Sequence, residues 1–287
     1  MKTGHSHHKT IQNIIAVALA GVCVGRAYQC IFWDIPIRSL IWNEDVFAGI
    51  IKVLFNLEWS EYLDIAETSG VIGSLVSGIG WSLLLALCLV FFPKKIRLFS
   101  ISWITLISLF IAFLYHLEKF NTAGQFFEYS LQFMTPILFY LLWRDGVNRR
   151  WLILAKVCIA LTFTSHGLYA IGFYPVPGNF VAMTINILHV SNDTAILLLQ
   201  IAGIIDVLVS IGIFFSGKIF NWSIWYCIIW GALTALARIA ANIDIDWFFS
   251  SLHQWAYQTV YRIPHFLVPF TVWWSYKNTI PSTEKEF

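Results

Sequence analysis

Among the ionisable side chains inside long apolar stretches, four are where chemistry would have to begin. They are Arg26 in Gly25-Arg26-Ala27-Tyr28-Gln29, His166 in Ser165-His166-Gly167, Asp206 in Ile204-Ile205-Asp206-Val207, and Arg238 in Leu236-Ala237-Arg238-Ile239. In hydrocarbon such groups are costly, so they face a protein interior, pair, or line a path for protons, ions or substrate. Arg26 has two readings. Its long stem can carry the guanidinium outward to the interface, or it faces the bundle and pairs, with Asp34 a little over two turns on and Glu128 as the candidate acids.

Asp206 offers either a helix-to-helix hydrogen bond or a proton, cation or ligand site, because a carboxyl in a dry interior is readily protonated. His166 is either a satisfied packing residue or a group exchanging protons and hydrogen-bonding a quinone-like oxygen, chemistry that suits a side chain titrating near neutrality. Arg238 and Asn242 lie four residues apart on one helical face, which predicts a polar wall. Small residues at 231, 232, 235 and 237 permit close helix approach there. Trp33, Asp34 and Arg38 follow the first apolar stretch, and Tyr169 follows His166. Together these residues predict a site: His166 and Asp206 managing protons, and Arg26, Arg238, Asn242, Asp34 and Arg38 holding an anionic or carbonyl-bearing group. Trp33 and Tyr169 would form its apolar wall.

Other chemistries lack their residues. There is no HxxxH or HExxH, no phosphate-binding glycine loop and no GxSxG elbow, so neither a metal site nor covalent catalysis is predicted. A bis-histidine haem would need His166 opposite His116 or His265. No spacing identifies such a pair, and haem ranks below quinone as a cofactor. The five cysteines sit in apolar segments without CxxC spacing, as small buried hydrophobes do.

The elements that must position these residues are membrane helices. The chain of 287 residues is 58% hydrophobic and 12% charged, with a mean hydropathy of +0.71, too apolar for a water-exposed surface of this size. A net charge of +2 gives no reason to expect nucleic acid. A span takes about 20 apolar residues, and eight stretches approach that length: 11–33, 70–92, 98–117, 125–143, 151–172, 195–216, 219–240 and 257–276. Pro264, Pro269 and Arg262 interrupt the last, which predicts a kinked or re-entrant piece. Residues 11–24 resemble the core of a signal peptide, but Arg26 and bulky residues follow instead of a cleavage site, so they are read as the first span.

One set of connections is short and basic (Lys94, Lys95, Arg97; Arg144, Arg149, Arg150; Lys218), with Lys2, Lys9, Lys277 and Lys285 near the ends. The other gathers acids from Asp34 to Asp246. By the positive-inside rule both termini are cytoplasmic. Two longer outer connections contain the partly apolar stretches 46–57 and 178–189, predicted to lie over the bundle as interfacial or re-entrant helices. The first and fifth spans end alike: a polar side chain (Arg26, His166), then aromatics, then proline (Pro36, Pro175). That pattern predicts an all-α bundle of two parallel four-helix repeats, residues 1–147 and 148–287.

The order His166-Gly167, Pro177-Gly178, Phe180, Met183, Gly203 and Asp206 resembles the DoxX-like family of four-helix membrane proteins, clearly over residues 160–216. Asp206 stands where that family commonly has Glu, and Tyr169 and Ala170 where a polar pair is common. The segment Trp33-Asp34-Ile35-Pro36-Ile37-Arg38 is more loosely similar to the horizontally-transferred transmembrane domain shared with vitamin K-dependent carboxylases. The DoxX-like resemblance implies a bacterial cytoplasmic (inner) membrane and an association with redox work, since some relatives are subunits of a thiosulfate:quinone oxidoreductase. Three functions follow as expectations. The first is an oxidoreductase component holding a quinone-like amphiphile in an outer-side cavity. The second is a transporter of a small anion, lipid or proton-coupled solute, and the third a scaffold for a membrane or periplasmic protein.

Overall fold

The computed structural model describes the backbone of residues 2–278 and side chains from residue 9. Lys2, the histidines between 5 and 8, Glu284, Lys285 and Glu286 lie outside the described side chains. Fourteen helices and no strand occur among the described residues. Six of the helices are long and apolar enough to cross a bilayer: α1 (Lys2–Phe32, spanning from Lys9), α5 (Val71–Leu89), α6 (Lys94–Glu118), α9 (Arg149–Ile171), α11 (Asn192–Gly212) and α12 (Gly217–Ala240). The protein is an all-α, multi-pass membrane protein.

Two of the connections hold short helices. After α1 come α2 (Arg38–Ile41), α3 (Glu44–Phe55) and α4 (Trp59–Thr68), and after α9 comes α10 (Gly178–Leu188). Thus both partly apolar stretches, 46–57 and 178–189, are helical. On α3, Val46, Ile50, Val53, Leu54 and Phe55 are exposed, an apolar stripe suited to a membrane interface. A capping box between Glu58 and Glu61 starts α4, and a left-handed Asn56 ends α3.

Of the two remaining apolar stretches, 125–143 differs from the continuous span expected, and 257–276 is interrupted as its prolines predict. Residues 125–143 form α7 (Ala123–Glu128) and α8 (Ser130–Asp145), broken at Tyr129; residues 257–276 form the end of α13 (Phe248–Val260) and most of α14 (Pro264–Asn278), broken at 261–263. Each second piece carries an internal proline, Pro136 in α8 and Pro269 in α14. Proline cannot donate to the carbonyl four residues back, so the ladder loosens at Gln132 and His265. These two polar residues sit one turn from the breaks.

α14 is central despite its length, packing against α12, α1, α9 and α8. The main core runs along α1 from Ile11 to Cys30, through α5, α6 and α8, and into α9, α12 and α14. Lipid faces the rest: Trp81, Leu85, Leu208, Ile211, Trp222 and Leu233 are exposed, as expected where the solvent is hydrocarbon. Four of the five cysteines are buried and Cys88 is exposed on α5. At the closest helix pair, α9 against α11, a Cβ on Gly167 would stand 2.6 Å from the Gly203 carbonyl oxygen and one on Gly203 would stand 2.7 Å from that of Gly167. Only hydrogen fits at either position, the close backbone approach typical of small-residue interfaces in membranes.

Candidate functional site

Arg26 lies 17 residues into its span, about 26 Å from the start at 1.5 Å per residue. It is buried and turned inward, which rules out snorkelling. Neither predicted acid is its partner. Its Nε and Nη2 both donate to Gln132 Oε1, at 3.0 and 2.7 Å, and Nη1 donates to Gln29 Oε1 at 2.7 Å. Gln29 in turn donates to Tyr115 Oη at 2.7 Å and to the Asp34 carbonyl at 2.8 Å. Three aromatic rings complete the lining, with the guanidinium carbon 3.9 Å from the Tyr261 ring centre, 4.9 Å from Tyr129 and 5.4 Å from Tyr115. Gly25 permits this placement: a Cβ there would lie 2.5 Å from the Tyr261 amide nitrogen, so α1 can press directly on the α13–α14 break.

Across Tyr261 the cluster continues. The Arg262 guanidinium carbon is 4.7 Å from the same ring, so one phenol lies between two cations. Arg262 Nη1 donates to the Gln258 carbonyl at 3.1 Å, and Nη2 stands 3.9 Å from Glu128 Oε1. His166 Nε2 is also 3.9 Å from that oxygen, and Gln125 Nε2 donates to Oε2 at 3.1 Å. The His166 ring centre is 5.8 Å from that of His265 and 6.1 Å from Phe180. Arg238 reaches the same place, its guanidinium carbon 5.4 Å from the Phe180 ring. Arg26, Arg262, Arg238 and Glu128 are 2%, 6%, 5% and 6% exposed, so three guanidiniums and one carboxylate lie in a dry interior, with the carboxylate beside Arg262.

Tyr169 borders this cluster, its hydroxyl 2.7 Å from Thr122 Oγ1 and its ring 5.0 Å from Tyr174. Other predicted site residues lie apart. Asp34 and Arg38 pair with each other, partly exposed, beyond the end of α1, and Arg38 Nε is 3.5 Å from Glu67. Trp33 donates to the His253 carbonyl at 3.1 Å, and His253 is hydrogen-bonded to Tyr28. The Asn242 amide donates to the Arg238 carbonyl at 2.9 Å, which ends α12 instead of lining a cavity with the Arg238 side chain. Asp206 is buried deeper, at the α9–α11–α12 contact, where Tyr226 donates to its Oδ1 at 2.9 Å. The residues expected to form one site therefore divide in two, with an arginine-rich cluster and, apart from it, an Asp206–Tyr226 pair.

Arg262, His265, Gln29, Gln132 and Tyr261 were not among the predicted site residues, although each flanks a recognisable signal: Gln29 follows Arg26 by three, and the others flank the breaks and their prolines. Lys156 is a further omission. It is buried in the N-terminal half of α9, its Nζ 4.6 Å from the Phe220 ring and 5.8 Å from Tyr276.

Two grooves border these sites from the lipid side. One is lined by Thr164 on α9, Ser210 on α11 and Phe214 just beyond it, and the other by Tyr28, His253 and Tyr257 on α1 and α13. Among the described residues no group of three or more His, Cys, Asp or Glu is placed to hold a metal. Comparison with protein-family models, with curated proteins and with solved structures finds no match. What the chain does is therefore argued from this buried, arginine-rich cluster.

Proposed function

We propose that this protein binds an amphiphile in the outer half of the membrane, with an oxygen-bearing polar head seated among Arg238, Arg262, His166 and Glu128. One observation carries the proposal: three guanidiniums are buried in one cluster that holds a single buried carboxylate, Glu128, which stands 3.9 Å from Arg262. Uncompensated buried charge is costly, so such an excess is retained where a ligand uses it. The resemblance to DoxX-like chains supports a quinone-like head and membrane redox work at this site. In that role the arginines would hold the carbonyl oxygens and His166 would exchange the proton. Mass spectrometry of small molecules retained by gently purified protein tests it. A stoichiometric amphiphile supports binding, and protein carrying only bulk lipid in proportion to its detergent counts against it.

Transport of a small anion or lipid is the second reading, favoured by the parallel build of the two halves. In each, a long span is followed by outer helices, two further spans and a broken span with an internal proline. We read these as two four-helix repeats, residues 1–147 and 148–287, giving eight crossings with both termini on the cytoplasmic side of a bacterial inner membrane. Arg26 and His166 then occupy matching places on α1 and α9, and the two broken spans meet the same cluster. Alternating access would need the halves to rock about it. Flux of a labelled anion into liposomes tests this, and protein that binds its ligand without moving it contradicts it.

A further inference from the structure

We infer that the head held in this cluster is an oxyanion, phosphate or carboxylate, gripped by Arg238 and Arg262 under the ring of Phe180. This rests on the ligand-binding reading above and narrows the ligand class. The first observation is a charge count. With neutral histidines, Arg26, Arg262 and Arg238 against Glu128 leave two positive charges in excess, and the other buried carboxylate, Asp206, belongs to the separate pair with Tyr226. A neutral carbonyl would satisfy N–H donors and leave that excess in place, whereas an oxyanion removes it.

The second observation is independent of charge. Each guanidinium nitrogen of Arg26 donates to a glutamine oxygen, but the Nε of Arg238 is buried without a hydrogen-bond partner. A buried donor left unpaired costs the full price of its lost hydration. Arg238 and His166 both lie against the Phe180 ring, and His166 and Arg262 both stand 3.9 Å from Glu128 Oε1, an arrangement that gathers the like charges of Arg238 and Arg262 and favours something negative among them. His265 Nδ1 is also buried and unpartnered. With His166 beside it, that ring places a further nitrogen at the same cluster. A planar guanidinium matches the paired oxygens of phosphate or carboxylate and can donate to both. Phe180, on α10, covers Arg238 and His166 from the outer side, so the oxyanion would be shielded from water.

The oxyanion could be a lipid headgroup or a free solute, and the experiment separates them. Full-length protein in phosphatidylcholine nanodiscs is titrated with inorganic phosphate, with phosphatidylglycerol, and with decylubiquinone as a neutral amphiphile. Binding is read by equilibrium dialysis for phosphate, by native mass spectrometry for the lipid and quinone, and by the thermal midpoint for all three. The expected result is one saturable oxyanion per chain, with affinity at least tenfold weaker in Arg238→Gln and unchanged in Arg97→Gln, which lies at the cytoplasmic side. The ligand-free midpoint of Arg238→Gln should not fall, because removing one of two like charges relieves repulsion. If Arg238→Gln does not fold, Arg238→Lys carries the test: it keeps the charge, loses the fork and should weaken phosphate or lipid binding several-fold. Selective binding of phosphatidylglycerol identifies a lipid head, and binding of phosphate alone a free solute; either supports the oxyanion. Equal oxyanion affinity in the wild type and Arg238→Gln, or in the wild type and Arg238→Lys, overturns it. Saturable decylubiquinone binding with no oxyanion bound also overturns it while leaving the ligand-binding reading standing. No saturable binding of any probe overturns both.

Discussion

The Arg26 guanidinium donates twice to a single oxygen, Gln132 Oε1, at 3.0 and 2.7 Å. A neutral amide satisfies the donors without cancelling the charge, so the field of Arg26 persists through Tyr261 toward Arg262. Hydrogen bonds to a charged group contribute about 1.5–3 kcal/mol each. A double-mutant cycle on Arg26→Met and Gln132→Leu should give a coupling of about 1–3 kcal/mol, above the average of about 0.6 kcal/mol for interhelical bonds in membranes. Unfolding in detergent measures it, and strictly additive single effects would show that the pair contributes nothing.

At the α9–α11 contact, Gly167→Val puts a branched side chain where the Gly203 carbonyl oxygen stands 2.6 Å from the nearest possible carbon. The expected cost is about 1–3 kcal/mol, as for overpacking. It should appear as a lower thermal midpoint, with Gly167→Ala intermediate. A midpoint unchanged in Gly167→Val would mean that the two helices do not approach this closely.

Asp206 and Tyr226 form a pair distinct from the arginine cluster. Tyr226→Phe should therefore lower stability by about 1 kcal/mol and leave the retained amphiphile in place. Asp206→Asn should cost less than Tyr226→Phe, since an amide oxygen still accepts from the tyrosine, and should likewise leave the ligand in place. Loss of the ligand from a folded Asp206→Asn protein would join the two sites into one.

Sidedness is open to chemical labelling. A cysteine at Lys95, in the basic turn before α6, should be shielded from a membrane-impermeant thiol reagent in intact cells. One at Asn56, between α3 and α4, should react. Labelling of both from outside, or the reverse pattern, would invert the orientation.

The long spans were legible because hydropathy over 20 residues is a strong signal, and the helices over 46–57 and 178–189 were legible from their mixed apolar and polar character. Arg26 and Arg238 were found because a charge in an apolar run is conspicuous. The breaks at Tyr129 and 261–263 were harder, although Pro264, Pro269 and Arg262 marked the second as irregular. Pro136 lies seven residues beyond its break, and no local residue announces the gap itself. Partnership was not legible at all. Sequence distance favoured Asp34 for Arg26, but Asp34 ends beside Arg38 at the surface, and the partner is Gln132 from a helix more than a hundred residues away. Asn242 shares a helical face with Arg238, yet its amide turns back to the helix terminus. Periodicity assigns a face; which neighbour meets that face is decided by the fold.

An experimental density map of the protein in native-lipid nanodiscs tests the central claim most directly. Non-protein density within hydrogen-bonding distance of the Arg238 and Arg262 guanidiniums, under Phe180, is the predicted result. A cluster in which both guanidiniums turn to protein oxygens, with no density between them, would contradict it.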